Sequence, residues 1–379
     1  MKTALYKVYD NSWEKDPKSQ DVNDENVNLV LCFASKFNLS DENIYKNFKA
    51  KFPAAEIAMA STAGEICQES VLDNSVVVVA MEFDKTVIRS TTVNIKDYKN
   101  SYEAAISLGK KLPKNDLSYI LVFSDGSLVN GSELVKGLST QVAKNILITG
   151  GLAGDDANFE STLVGLNKQP IEGEIMAIGF YGNSLTVTHG SQGGWDIFGL
   201  QKRVTNSASN VLLELEDQNA LDLYKKYLGE ESKKLPGSAL LFPLSVTIPG
   251  ATEPIVRTIL SINEEDKSMT FAGDVPVGSE VRFMKANFDK IIQAASNAAD
   301  QTIIERRDEP DFALLISCVG RKLILDTKIE EEIKSVSKSF DHKTIMAGFY
   351  SYGEISPVVS GGKCQLHNQT MTITSFYED

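Results

Sequence analysis

A chain of 379 residues with 42% hydrophobic and 8% aromatic residues carries enough apolar material for two cores, which excludes a disordered polypeptide and predicts two domains. Its formal charge of −13, with Lys and Arg scattered among acids, leaves no basic track for nucleic acid or an anionic membrane. The N-terminal MKTALYKVYD has no apolar signal region, and apolar runs such as VVVVAM are too short to cross a bilayer, so a soluble, cytoplasmic protein is expected.

In chain order, one unit recurs three times: an opening strand, a helix, a returning strand ending on a Gly-acid corner, and a closing strand. The first unit opens with NLVLCF (28–33), passes through IYKNFKAKF, returns as EIAMASTAGEI (56–66) and closes with SVVVVAMEF. The second opens with YILVFSDG (119–126), passes through ELVKGLSTQVA, returns as ILITGGLAGDD (146–156) and closes with EIMAIGFYG. A different grammar follows: VTNSASNVLLEL predicts a strand pair or a bulged strand, NALDLYKKYLG a helix closed by Gly229, IVRTILSINEEDKSMTF a hairpin turning at EEDK, and NFDKIIQAASNAADQTI a helix. The third unit opens with FALLISCVGR (312–321), passes through KIEEEIKSVSKSF, returns as IMAGFYSYGEI (345–355) and closes with HNQTMTITSFY. Three corners coincide at Gly64-Glu65, Gly154-Asp155 and Gly353-Glu354.

Continuous apolar runs alternating with amphipathic helices predict an α/β fold of mixed sheets with helical crossovers, built from three β-α-β-type units. Two packed domains are expected, residues 1–210 and 211–379, with the third unit in the second domain.

Ligands in such sheets collect beyond the carboxyl ends of the strands. In the third unit this gathers Cys318, Arg321, Tyr352 and Glu354, with His367 and Asn368 from the last strand and Arg257 from the preceding hairpin. A guanidinium takes a carboxylate through two hydrogen bonds and a Glu accepts from an ammonium, so the set suits an amino acid or a related zwitterion or anion. The competing expectation is that Arg321 and Glu354 neutralise each other in a structural pair. Ser124, Asp125, Gly154 and Asp155 form the matching secondary cleft of the second unit, whereas Glu65 is expected to be structural.

The four cysteines lie far apart, without the spacing of a disulfide framework or a zinc site. Cys318 and His367 would make a nucleophilic enzyme site if the thiol were ionised, but the apolar ALLIS before Cys318 predicts a buried, inert thiol. No cofactor is expected. Haem would need an axial ligand, and His189 in VTHGSQGGW is the best placed of the three histidines.

Ten stretches in order, STAGEI, FSDG with NGSELVKGL, GGLAGDD, GFYG, RVTNSASN, FPLSV, DVPVGSEVRFM, SCVGR, GFYSYGEI and LHNQTMT, make the chain resemble a FIST domain protein, with N-terminal and C-terminal FIST parts covering nearly all of it. The resemblance implies a non-enzymatic sensory module that recognises small molecules, amino acids in particular, and is often joined to kinase, cyclase or chemoreceptor outputs. It also implies the alternative of a haem-dependent nitric oxide sensor, known for some members, while eukaryotic relatives carry an F-box. With no output segment in the sequence, the signal is expected to pass to a separate protein.

Overall fold

The opening strands Leu29–Ala34, Leu117–Ser124 and Phe312–Cys318 are almost wholly apolar because each runs through the interior of a six-stranded sheet with both faces covered. The computed structural model describes residues 1–9, 12–235, 237–304, 309–359 and 361–379. In every unit the returning strand pairs parallel with the opening strand and the closing strand pairs antiparallel on its other side. Phe33 thus faces Ala60 and Val77, Phe123 faces Gly151 and Met176, and Ile316 faces Phe349 and Thr372.

The three sheets are interlocked in a ring. After its corner, each unit places a strand on a neighbour's returning strand: Glu65–Cys67 on the third unit, Val164–Leu166 on the first and Gly353–Pro357 on the second. The strands that follow the closing strands are exchanged as well, Val87–Asn94 onto the second sheet and Leu185–Gln192 onto the third. Lys2–Tyr9 pairs with Val76–Glu82 and so fills in the first sheet the place that a strand following Met371–Glu378 would take. The three copies are therefore related by a cyclic pseudosymmetry. Phe33, Phe123 and Phe349 meet at its centre with ring centroids 5.0–5.8 Å apart.

Helices cover the outer faces, and local chemistry fixes their ends. Asn100, Asn130 and Asn219 each accept from the backbone N–H of an acidic residue three positions on, and Gly229 closes Ala220–Leu228 at φ +58°. The segment Asp196–Lys285 folds into a curled antiparallel sheet with its own helix, as the strand-pair and hairpin patterns predict. Its core draws on residues between Val204 and Phe283, joined at its edge by Val358. The third unit, grouped by sequence with residues 211–379, shares its sheets with the first two units.

The ring closes where the chain termini meet. Glu378 accepts from the backbone N–H groups of Asp84, Lys85 and Thr86 and from Thr86 Oγ1, with the Met1 ammonium at 3.2 Å. Burial pushes this carboxyl up, but the bonds from Thr86, Asp84 and Lys85 outweigh it and hold it at about 2. A depressed carboxyl contributes stability above its unfolded value that is lost as pH falls toward the folded one. Glu378→Gln should lower stability at neutral pH by about 1–2 kcal/mol, solvent screening keeping the loss modest. Denaturant titrations at several pH values should show the deficit vanishing between pH 4.5 and 2.

Candidate functional site

The pseudosymmetry supplies an internal control, because a side chain that behaves alike in two units is part of the scaffold. Glu65 accepts from Thr62 Oγ1 and from the N–H and Oγ of Ser75, the residue before the closing strand. Glu354 repeats this atom for atom, accepting from Ser351 Oγ at 2.8 Å and from Thr370 N and Oγ1 at 3.1 and 2.8 Å. Both tie a corner to the start of a closing strand. Burial raises Glu65 to about 7 and Glu354 to about 8 against these bonds, so Glu354 is mostly neutral at pH 7.

Glu354 is not the partner of Arg321. The guanidinium is fully buried against Glu332, with Nη2 at 2.6 Å and Nε at 2.7 Å from Oε1, and its remaining donors reach the carbonyls of Gly193, Ile291 and Gln369. A structural pair exists, as expected in kind, but with an acid on the helix Ile329–Ser339, a connection that no spacing in the sequence encodes. Arg257 is spent similarly: Nη1 donates to the Leu366 carbonyl at 2.8 Å and Nε to that of Asp274 at 3.1 Å. Desolvation lowers Arg257 to about 10. Every guanidinium nitrogen of Arg321 is thus committed, as are Nε and Nη1 of Arg257. Cys318 is 3% exposed and burial pushes its thiol up, the opposite of what a nucleophilic thiolate needs.

What distinguishes the third unit is the turn before its closing strand. Asn74, Gly173 and Gln369 occupy this place with φ of +52°, +77° and +60°. In the first unit the turn residues Asp73 and Asn74 are exposed, and Asp73 pairs with Lys322. In the third, Asn368 and Gln369 are both 0% exposed, and all four polar atoms of their carboxamides lack a hydrogen-bond partner among the described residues. The Gln369 amide lies over Gly320, where a Cβ would come within 2.4 Å of Nε2, while Trp195 Nε1 and Arg321 hold its backbone carbonyl. The sequence reading included Asn368 and missed Gln369. The available signal was three polar residues, Asn368–Thr370, directly before a strand buried almost throughout.

A polar seam runs inward from this turn between the second and third sheets. By register, Thr372 and Thr374 stand where the first unit has Val77 and Val79 and the second Met176 and Ile178. Thr374 bonds Thr149, which bonds Tyr119, and Thr372 bonds Ser191. His367 lies opposite Glu354 across its strand pair and its Nε2 bonds the Ser356 carbonyl; desolvation lowers it to about 4, so the ring is neutral. Ser356 Oγ is buried without a partner among the described residues.

The other sequence candidates lie elsewhere. Tyr352 points to the second unit, stacked on Phe159 at 4.7 Å with its hydroxyl accepting from Phe159 N. Ser124 bonds the Asp125 carbonyl, and the Asp125 carboxylate holds the N–H groups of Ser127, Leu128 and Gly173, so it clamps a loop. Gly154 packs on the backbone of Thr62 and Ala63, and Asp155 pairs with Lys36 at 3.2 Å, which joins the secondary cleft to the first unit. His189 is 9% exposed on Leu185–Gln192, a strand packed over by the helix Phe288–Ile304.

The raised carboxyl has a measurable consequence. Unfolded, Glu354 ionises near 4.5; folded, it keeps its proton to about 8, so it removes stability as pH rises through that window. In Glu354→Gln the amide can donate to Ser351 and accept from Thr370, reproducing the protonated acid. Its stability relative to the wild type should rise by at most roughly 1.4 kcal/mol per pH unit between those limits, read from chemical denaturation at pH 5, 6, 7 and 8.

A FIST N domain model matches residues 28–218 and a FIST C domain model residues 220–357. No curated protein matches the chain. Among solved structures, the crystal structure of a cyanuric acid hydrolase from A. caulinodans aligns over 77% of this chain and 99% of its own, at 10% identity and a TM-score of 0.18. The two family models together span most of the sequence, interlocked sheets and curled sheet alike, and the chain belongs to the FIST family of sensory, ligand-binding domains.

Proposed function

We propose that the protein is a non-catalytic sensor of an amino acid or a closely related zwitterion, bound at Asn368 and Gln369, and that it signals to a separate protein. The observation that carries this is the pair of buried carboxamides with no partner among the described residues. An unmade hydrogen bond at a buried polar group costs about 1–3 kcal/mol, so two adjacent unsatisfied amides are expensive unless something else satisfies them. Each offers one acceptor oxygen and one donor NH₂, the complement of an ammonium and a carboxylate. Arg321 is paired with Glu332, Arg257 is held by backbone carbonyls, Glu354 is mostly protonated and His367 is neutral, so the two amides themselves supply the contacts that a zwitterion would use.

The test separates ligand contact from structure. Replacing Asn368 by Leu, and Gln369 by Met, removes groups that cost stability when empty. Each variant should unfold at a temperature equal to or above the wild type's without ligand. In a thermal-shift panel of the twenty amino acids, the wild type should be raised by one or a few, by about 2.7 kcal/mol at a hundredfold excess over Kd, and neither variant by any. A wild type that responds to none of them would exclude the amino-acid reading.

A further inference from the structure

We infer that the curled sheet, residues 196–285, is a cap that undocks from the turn holding Asn368 and Gln369, and that Arg257 is the latch joining the two. Its sensory use rests on the ligand reading above; the motion does not. A site whose polar atoms are wholly buried fills only if some part of the protein opens. The three body sheets resist opening, since every one of them contains strands of its neighbours. The curled sheet differs in three respects.

Its hydrophobic core is nearly self-contained. The chain enters and leaves it side by side, with Asp196 paired to Lys285, so both connections lie on one hinge line, preceded by Gly193 and by Gly194 at φ +79°. Among the described residues its hydrogen bonds to the second unit and to the strand Cys364–His367 are Arg257 to the Leu366 carbonyl, Asn130 Nδ2 to Asp274 Oδ1 at 3.1 Å, and Asp274 N to Ser132 Oγ at 3.4 Å, beside apolar contact from Val358. A small apolar cluster, Met284 and Val256 with Trp195, Ile291 and Leu325, sits beside the hinge.

Position connects the latch to the site. Leu366 lies two residues before Asn368, on the strand Cys364–His367 that hands the chain from the second sheet to the third. The hinge segment meets the same turn from the other end, through Trp195 Nε1 to the Gln369 carbonyl and Arg321 to the carbonyls of Gly193 and Gln369. A zwitterion joining the two amides would stiffen the turn on which both contacts depend, and so favour the docked cap. Undocked, Arg257 regains water, which offsets part of the lost bonds and keeps the two states close in free energy.

Hydrogen–deuterium exchange on the full-length, ligand-free protein tests this. In Arg257→Met, amides of 193–196 and 366–370 should exchange about tenfold faster or more than in the wild type, and in Arg257→Lys by a smaller factor. Residues 314–317 of strand Phe312–Cys318 and 281–283 of strand Glu280–Lys285 should keep wild-type protection in both. Unchanged exchange at 366–370 in the Lys variant and in a folded Met variant, or a loss of protection in both cores together, would overturn the cap. A flat amino-acid panel with this exchange pattern intact would remove the ligand reading and leave the cap standing.

Discussion

The constraint that the structure obeys throughout is the satisfaction of sheet edges. A three-stranded unit of opening, returning and closing strands leaves open N–H and C=O groups on its returning strand, and each unit supplies the missing strand to its neighbour. That exchange forces a sharp corner, with the chain leaving one sheet and entering another within a few residues. The corner glycines and buried acids follow from it. Glu65 and Glu354 each receive the N–H of the residue just before a closing strand, so one carboxyl secures both the exit from one sheet and the entry into the next.

Much of this was legible in the sequence. Doubly buried strands announce themselves as unbroken apolar runs, corners as Gly-acid pairs, and NALDLYKKYLG carries both its cap and its stop. The destination of each exchanged strand was not legible, because EIC at 65–67 pairs with MAGFYS at 346–351 through backbone groups that every residue possesses. The same limit governs the site. Glycine and acid at 353 and 354 showed where a strand ends, but nothing in the spacing of Arg321 and Glu332 declares their pairing, and Tyr352 turns toward another unit. Asn368 was found because it sits at a strand mouth; Gln369 stands out only against the first copy, where the same turn is exposed.

Repetition within one chain also separates scaffold from specialisation. Residues doing equivalent work in two or three units, such as the clamped acids and the positive-φ turn position, hold the ring together. Departures concentrate on one side, between the second and third sheets. Threonines replace Val, Met and Ile there, a Tyr119 hydroxyl enters where the first unit has Leu29, and two amides are sealed in. In the first sheet the corresponding positions, Leu29, Val77 and Val79, stay apolar. One junction of the ring has thus become hydrophilic while the aromatic centre, Phe33, Phe123 and Phe349, stays dry.

The exchange of strands also bears on how the chain acquires its structure during synthesis. The first sheet lacks Val164–Leu166 until the second unit has been made, the second lacks Gly353–Pro357 until nearly the whole chain has been made, and Glu65–Cys67 waits for Met346–Ser351. These pairings span from about one hundred to almost three hundred residues, so loop-closure entropy is met in stages: the first sheet has all its strands by residue 166, whereas the second and third wait for the end of the chain. Only the first sheet can be completed well before the rest of the chain is made. The second sheet must carry an open edge, and Glu65–Cys67 must stay unpaired, until residues 346–357 are delivered, which exposes apolar strands to misassembly over that interval.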